Sequence, residues 1–315
     1  MIGSCLIDAI MFRNREYGLN CKVFALSRNG EKARSRFAVW SGSSLLQVLE
    51  GDVNQDISSL LPNSLDYVLH LASNTHPVAY ASDPIGTILT NIVGTRNMLE
   101  AASSRGARRF LFASSNEIYG ENRGDKELFD ENYLGYIDCN SLRAGYTESK
   151  RCGEALCQAY LRQKGLDIVI ARLTRSFGPS LLPSDTKAMS QFLRNGANGE
   201  DIVLKSKGDQ LYSYTYAADA VTGLLTVLLN GEKGEAYNVA EESFDIPLKE
   251  IAGIIAEEAG TKVVFDLPDE VEAAGFSKAT KARLNGSKLR ALGWRARYSL
   301  REGIRRTLKC LKNTK

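Results

Sequence analysis

Short β-branched and apolar runs alternate with longer stretches of helical periodicity through roughly the first 170 residues, and this alternation restricts the fold more than any other feature. Lys22 to Leu26, Leu46 to Glu50, Asp66 to Leu71, Arg109 to Ala113 and Asp167 to Ala171 read as strands. They are apolar almost throughout, as parallel strands covered on both faces are. Between them, Asp83 to Ser104 and Arg143 to Lys164 read as helices, the first carrying Ile85, Ile88, Leu89, Ile92, Met98 and Leu99 on one face. Strand and helix repeated in this order predict an α/β fold with a doubly wound parallel sheet.

After Arg172 the alternation loosens. A helix around Lys187 to Asn198 is followed by strand-like Leu211 to Tyr216, helix-like Ala218 to Leu229 and a tail that mixes helices with a strand at Lys262 to Leu267. The expected division places residues 1–172, with a return segment at about 211–240, in the sheet domain. Residues 173–210 and 241–315 then form a smaller mixed α/β lobe, and clefts between lobes are where ligands bind.

At 315 residues and 43% hydrophobic, the chain can bury a large core. Its formal net charge of +3 is small and its basic residues are scattered, so bulk electrostatics give no case for nucleic acid or an acidic membrane surface, and neither is expected as a partner. No apolar run approaches the roughly 20 residues of a membrane-spanning helix. The six cysteines form no CxxC pair, and two histidines, His70 and His76, supply too few imidazoles for a metal site. Unpatterned thiols fit a reducing cytoplasm.

Tyr146-Thr147-Glu148-Ser149-Lys150 places a phenol and an ammonium one helical turn apart on one face. Free tyrosine titrates near about 10, so it becomes a useful base at neutral pH only where a cation favours the phenolate, and Lys150 is placed to be that cation. A solvated pair on a surface helix has the same spacing. Ser114-Ser115-Asn116-Glu117-Ile118-Tyr119-Gly120 follows the strand ending at Ala113, at the edge where parallel sheets bind ligands. Ser-Ser-Asn is also ordinary turn chemistry. Glu50-Gly51-Asp52-Val53 ends another strand, where an acid can accept from an adenine amino group, and Leu71-Ala72-Ser73 ends the next, small enough for a cofactor to lie on the backbone. Each is equally a plain strand-end turn.

Taken together these residues resemble the extended short-chain dehydrogenases/reductases, the NAD-dependent epimerase/dehydratase family acting on nucleotide sugars. The likeness spans nearly the whole chain. Further landmarks are Asn91 with Gly94-Thr95, Arg172 with Phe177-Gly178-Pro179, Tyr216 with Asp219, Tyr237-Asn238-Val239, and Ser287-Lys288-Leu289 with Leu292-Gly293-Trp294. Met1-Ile2-Gly3 looks like the back half of a glycine-rich phosphate loop, with Gly3 its last glycine and Gly3 to Ile10 the first helix. The expectation is a Rossmann-like sheet whose first strand is missing, through truncation or a start assigned too late.

The resemblance implies that Tyr146 is the acid/base toward a sugar hydroxyl, that Lys150 lowers its pKa and holds the cofactor ribose, and that Ser115 binds the same sugar oxygen. Gly3, Arg28, Asp52, Val53, Leu71, Ala72, Ser73, Asn91 and Ser114 are expected at the cofactor, with Tyr146 and Lys150. Asn116, Arg143, Arg175 and Tyr212 are expected at the substrate. Once carbon 4 is a ketone, epimerisation, loss of water or loss of a carboxyl group becomes accessible. Arg143 three before Tyr146 and Arg151 after Lys150 look most like UDP-glucuronate decarboxylases. The 4,6-dehydratases place an Asp where Asn116 stands, and an amide is no general acid, although Glu117 remains available as a base.

Three departures stand against that pattern. Arg175 replaces a usual asparagine and Tyr212 a usual arginine, both near the substrate diphosphate, as though the cation had moved across the phosphates. Ser27 and Arg28 stand where NAD-preferring members carry an acid for the ribose 2′-hydroxyl, so NAD is expected with NADP possible. The reading is a homodimeric, cytoplasmic decarboxylase. Its alternatives are a 4,6-dehydratase or 4-epimerase, a simple NADP-dependent reductase, and a nucleotide-binding fragment without turnover.

Overall fold

The computed structural model describes residues 1–75, 82–141, 144–182, 185–267 and 281–313. Arg143 and His76 lie outside the described residues. In chain order the elements are α1 (Ile2–Tyr17), β1 (Val23–Ser27), α2 (Gly30–Arg36), β2 (Leu46–Glu50) and β3 (Tyr67–His70). Next come α3 (Pro84–Leu89), a π turn (Thr90–Gly94), α4 (Thr95–Ser104), β4 (Arg109–Ser115) and α5 (Ala144–Lys164). They are followed by β5 (Ile168–Leu173), β6 (Arg175–Phe177), α6 (Ala188–Asn198), β7 (Ile202–Leu204), β8 (Leu211–Tyr212), β9 (Tyr214–Tyr216), α7 (Ala217–Asn230) and β10 (Ala236–Val239). The chain closes with β11 (Ile246–Pro247), α8 (Leu248–Ala259), β12 (Val263–Phe265), β13 (Lys281–Ala282), α9 (Ser287–Ala291) and α10 (Leu300–Asn313).

The parallel α/β sheet expected from the alternation is present. Strands run in the order β10-β5-β4-β3, all parallel, with Phe112 opposite His70 on one side and Ile170 on the other. The pleat sorts the side chains by parity. Phe110, Phe112, Ile168 and Ile170 face one side and pack with Leu99 and Cys157, whereas Leu111, Val169 and Ala171 face the other and pack with Leu224, Val227 and Trp294. β1 and β2 form a separate parallel pair, with no backbone ladder to the four strands among the described residues. A third cluster, built around Phe177, Leu193, Ile202, Tyr214, Ile251 and Ile304, lies apart from the sheet's two faces.

Several boundaries differ from expectation for physical reasons. The first helix runs on to Tyr17, where Gly18 at φ 61° supplies the left-handed cap. The helix expected from Asp83 to Ser104 is interrupted by the π turn, whose extra residue breaks the 3.6-residue phase. Its apolar face splits accordingly: Leu99 is fully buried while Ile85 and Leu89 are exposed. Leu211 to Tyr216 is two short strands in different sheets, β8 pairing with β11 and β13 and β9 with β6. No helix among the described residues is long and apolar enough to cross a membrane.

Candidate active site

Helix α5 crosses the end of β4 at close range because Gly153 faces the sheet. A Cβ there would lie 2.5 Å from Phe112 Cζ. This approach buries Tyr146 and Lys150, which are 6% and 3% exposed, so the solvated-pair reading of their spacing does not hold. The Tyr146 phenol makes hydrogen bonds with the hydroxyls of Ser115 and Ser73 and faces the charge of Glu117. Lys150 Nζ donates to the Ala113 carbonyl at 2.9 Å and sits 4.9 Å from the Phe112 ring centroid. Ser115 Oγ also accepts from Glu117 N at 3.2 Å, which opens the one-turn 3₁₀ helix Asn116–Tyr119 that carries the carboxylate.

Electrostatics here follow burial first. Desolvation and the facing Glu117 push the Tyr146 phenol well above its ordinary value, opposed by the two serine hydroxyls. Lys150 is pushed down to about 8 by burial, against the pull of Glu154 and Cys157. Its ammonium spends a hydrogen bond on a backbone carbonyl, and the net effect on the unliganded phenol is upward, not downward as the spacing suggested. His70 lies beneath the same lysine, 2% exposed and 6.0 Å from the Phe112 ring, with Nε2 unpartnered. Burial and the Lys150 charge push it down to about 3, so it is neutral.

The π turn has a clear task. Asn91 within it accepts from Ser73 Oγ at 2.8 Å and donates to Ser149 Oγ at 3.0 Å, and Ser149 Oγ donates to the Tyr146 carbonyl at 2.9 Å. One buried amide therefore ties the segment after β3 to the second turn of α5. Neither Ser149 nor this cross-link was signalled by sequence spacing.

Other expected residues fall into two groups. Along the strand ends lie Asp52, whose Oδ1 accepts from Asn54 N at 2.9 Å, buried Val53, the half-exposed run Leu71 to Ser73, and Ser114, whose buried Oγ has no partner. Gly3 is helical within α1, its Cα hydrogen directed at Leu71. Arg28 is exposed after β1, while Ser27 Oγ donates to the Asn29 carbonyl at 3.1 Å. An unpartnered buried hydroxyl, an exposed backbone shelf and a buried ammonium on one sheet edge fit a dinucleotide.

The second group gathers Arg175 of β6, Tyr212 of β8 and Asn116 of the one-turn 3₁₀ helix. Arg175 Cζ stacks 3.6 Å from the Tyr212 ring centroid. With the Asn116 amide oriented to satisfy both neighbours, its oxygen accepts from Arg175 Nη1 at 3.1 Å and its nitrogen donates to the Leu173 carbonyl at 3.3 Å. The two departures at 175 and 212 are thus one unit, a guanidinium lying on the ring that replaces the usual cation. Lys187, which spacing along the sequence did not single out, faces both Glu117 and Arg175; burial holds its ammonium below the usual lysine range. Behind the site, Arg172 forks onto Glu154 at 2.7 and 3.0 Å and donates to Tyr119 Oη at 2.9 Å, which in turn donates to Asn238 Oδ1 at 2.7 Å.

Comparison with known proteins finds relatives that cover nearly the whole chain. UDP-glucuronic acid decarboxylase 1 of Xenopus tropicalis is 30% identical over 308 residues, covering 98% of this chain and 69% of that protein. UDP-glucuronic acid decarboxylase 6 of Arabidopsis thaliana is 29% identical, covering 96% of this chain and 83% of that protein. Two solved structures share the fold. A UDP-glucuronic acid 4-epimerase from Bacillus cereus, in complex with NAD, aligns at a TM-score of 0.84 with 21% identity, covering 100% of this chain and 97% of that one. A dTDP-glucose 4,6-dehydratase from Streptomyces venezuelae with NAD bound aligns at 0.81 with 24% identity, covering 98% and 93%. Residues 1–240 match the model of one family along their length, and the chain belongs to that family, the NAD dependent epimerase/dehydratases.

Proposed function

We propose that this protein is a nucleotide-sugar enzyme that oxidises carbon 4 transiently and then releases a carboxyl group, with UDP-glucuronate as substrate. The observation that carries the reading is the buried Tyr146 phenol, bonded to Ser115 and facing Glu117 at the end of β4. The likeness to UDP-glucuronic acid decarboxylases supports the choice of substrate.

NAD, when bound, supplies a two-electron acceptor and returns the pair later in the cycle. Asp52, Val53, Leu71, Ala72, Ser73, Asn91, Ser114 and Lys150 hold it in this reading, with Gly3 at the phosphates and Arg28 near the ribose. Tyr146 takes the proton of the 4-hydroxyl, and Ser115 holds that oxygen. Lys150 brings a positive charge into a dry site and so favours the phenolate once the ribose hydroxyls have replaced part of its present hydrogen bonding. With carbon 4 a ketone, the bond from carbon 5 to the carboxylate breaks, carbon dioxide leaves, and the electron pair passes into an enolate. Glu117 manages the proton at carbon 5. Arg175, stacked on Tyr212, and Asn116 hold the anionic end of the substrate, with Arg143.

Residues 1–172 with 211–240 serve the cofactor in this scheme, and 173–210 with 241–315 the sugar nucleotide. A homodimer through α5 and the neighbouring helix, where Ile85 and Leu89 are exposed, belongs to the same proposal and is tested by sedimentation. All six cysteines are thiols outside any disulfide, which accords with a cytoplasmic setting. The deciding experiment incubates the protein with NAD or NADP and a panel of UDP-, dTDP-, GDP- and CDP-sugars, followed by mass spectrometry. Loss of carbon dioxide from UDP-glucuronate bears the proposal out. Loss of water, or an unchanged mass with inverted stereochemistry, replaces it with a dehydratase or an epimerase.

A further inference from the structure

Arg151 follows Lys150 on α5, is half-buried, and its guanidinium reaches the turn that carries Glu117. Nε and Nη2 donate to the Ile118 carbonyl at 2.9 and 2.7 Å, and Nη2 also donates to the Leu134 carbonyl. Glu148, one turn earlier, sits 3.8 Å from Nη1.

These two carbonyls belong to backbone segments that are themselves fastened together. Glu121 N donates to the Tyr136 carbonyl at 2.9 Å, and Gly120 and Gly135 take φ of 62° and 70°. A Cβ on Gly120 would strike the Tyr136 carbonyl, and one on Gly135 the Tyr119 carbonyl, so only glycine lets the two segments meet. The Ile118 carbonyl belongs to a one-turn 3₁₀ helix too short to satisfy it internally. The guanidinium supplies the missing donors.

The result is a closed circuit of contacts. Tyr146 bonds Ser115, Ser115 Oγ accepts from Glu117 N, Ile118 follows Glu117, and Arg151 returns from Ile118 to the helix of Tyr146. Without Arg151 the turn keeps its ties at Ser115, Asn116 and Tyr119 but loses the hydrogen bonds that join Ile118 to the helix of Tyr146. We propose that Arg151 is a positioning residue that fixes Glu117 relative to Tyr146 for the step after oxidation. The proposal rests on the role given to Glu117 above. It also gives a reason for arginine at this place: a planar fork serves two carbonyls at once, which a lysine ammonium on a flexible stem does not hold in the same geometry.

The test separates oxidation from the later loss of carbon dioxide. In single turnovers with NAD and UDP-glucuronate, Arg151→Ala should leave the first rise in reduced-nicotinamide absorbance within about threefold of the parent, whereas carbon dioxide release falls about a hundredfold, the scale of an ångström-sized misplacement. Arg151→Lys, which keeps charge and bulk, should fall between the two. Introduced into Glu117→Gln, Arg151→Ala should cost almost nothing more, because a positioning residue has no effect once the group it positions is gone. Amide hydrogen exchange without substrate should speed up in residues 116–120 and 134–136 and stay unchanged in the centre of α5. Additive losses in the double variant, equal losses in both steps, or unchanged exchange in the turn would each overturn the positioning role. If Arg151→Ala does not fold, Arg151→Lys alone decides by the same readouts. A parent protein that oxidises no sugar overturns the function proposed above and this role with it, whereas an active parent matched by its Arg151 variants overturns this role alone.

Discussion

His70 gives the sharpest check on how dry the floor of the site is. The imidazole is 2% exposed between Phe110 and Phe112, its Nε2 has no partner, and Lys150 stands near it. An ordinary histidine takes up a proton near 6.5, but here burial, reinforced by the lysine charge, pushes that point down to about 3. Above pH 6.5 the folded and unfolded chains both carry neutral imidazole, and nothing is at stake. Between 6.5 and 3 the unfolded chain binds a proton that the folded one refuses, so stability falls as pH falls and levels off below 3. The full loss is about 5 kcal/mol, of which about 3 kcal/mol has gone by pH 4. His70→Leu keeps the volume and removes the titration. Its stability will start from a different level, but guanidinium denaturation between pH 7 and pH 4 should show a decline smaller than the parent's by about 3 kcal/mol. The sequence holds only two histidines, so proton NMR gives a second reading: one imidazole C2 proton should keep its neutral shift down to pH 4. Parallel stability curves for the two proteins, or two imidazoles titrating near 6.5, would refute the account.

Further outcomes are expected from the same geometry. Tyr146→Phe should lower turnover by roughly three orders of magnitude while leaving the denaturation midpoint near that of the parent, since general acid-base help is lost and packing is kept. Lys150 is pushed down to about 8, so the ammonium role proposed for it requires the rate to decline as pH rises through about 8, and a flat profile to pH 10 would remove the lysine from the chemistry. Arg172→Met leaves the nearly buried Glu154 without its guanidinium and should cost about 3–5 kcal/mol, read as a shift in urea midpoint. Gly135→Ala forces a side chain into a left-handed backbone against a carbonyl and should destabilise by more than about 1 kcal/mol, measured by thermal unfolding.

Features that depend on spacing along one element were legible in the sequence. The strands near Val23, Leu46, Tyr67, Arg109 and Ile168 were visible as apolar runs, and Tyr146 with Lys150 as one helical turn. Features that depend on two distant segments were not visible. The π turn exists because Asn91 must meet Ser73 and Ser149 at once, and no periodicity within residues 83–104 foretells those partners. The same turn explains why Ile85 and Leu89, apolar and in phase on paper, face outward. Leu211 to Tyr216 alternates like one strand, but its ladder partners lie in different parts of the chain and divide it. Lys187 was hidden for a simpler reason: a cation just before a polar helix looks like a solvated one until the carboxylate it faces is located. Arg151 was visible as part of the resemblance, but its carbonyl partners were not.

The seam between the β1–β2 pair and the four-stranded sheet has mechanical consequences. No ladder crosses it among the described residues, so the pair carrying Ser27, Arg28 and the approach to Asp52 is held to the rest by side chains and helices alone. Such a unit can swing open without tearing a backbone network, at lower free energy than global unfolding. A dinucleotide bridging both pieces would act as a rivet, and its binding would be felt most strongly by the piece that is otherwise free to part. Protection of the amides of Val23–Ser27 should therefore rise with NAD concentration far more than that of Phe110 to Ala113.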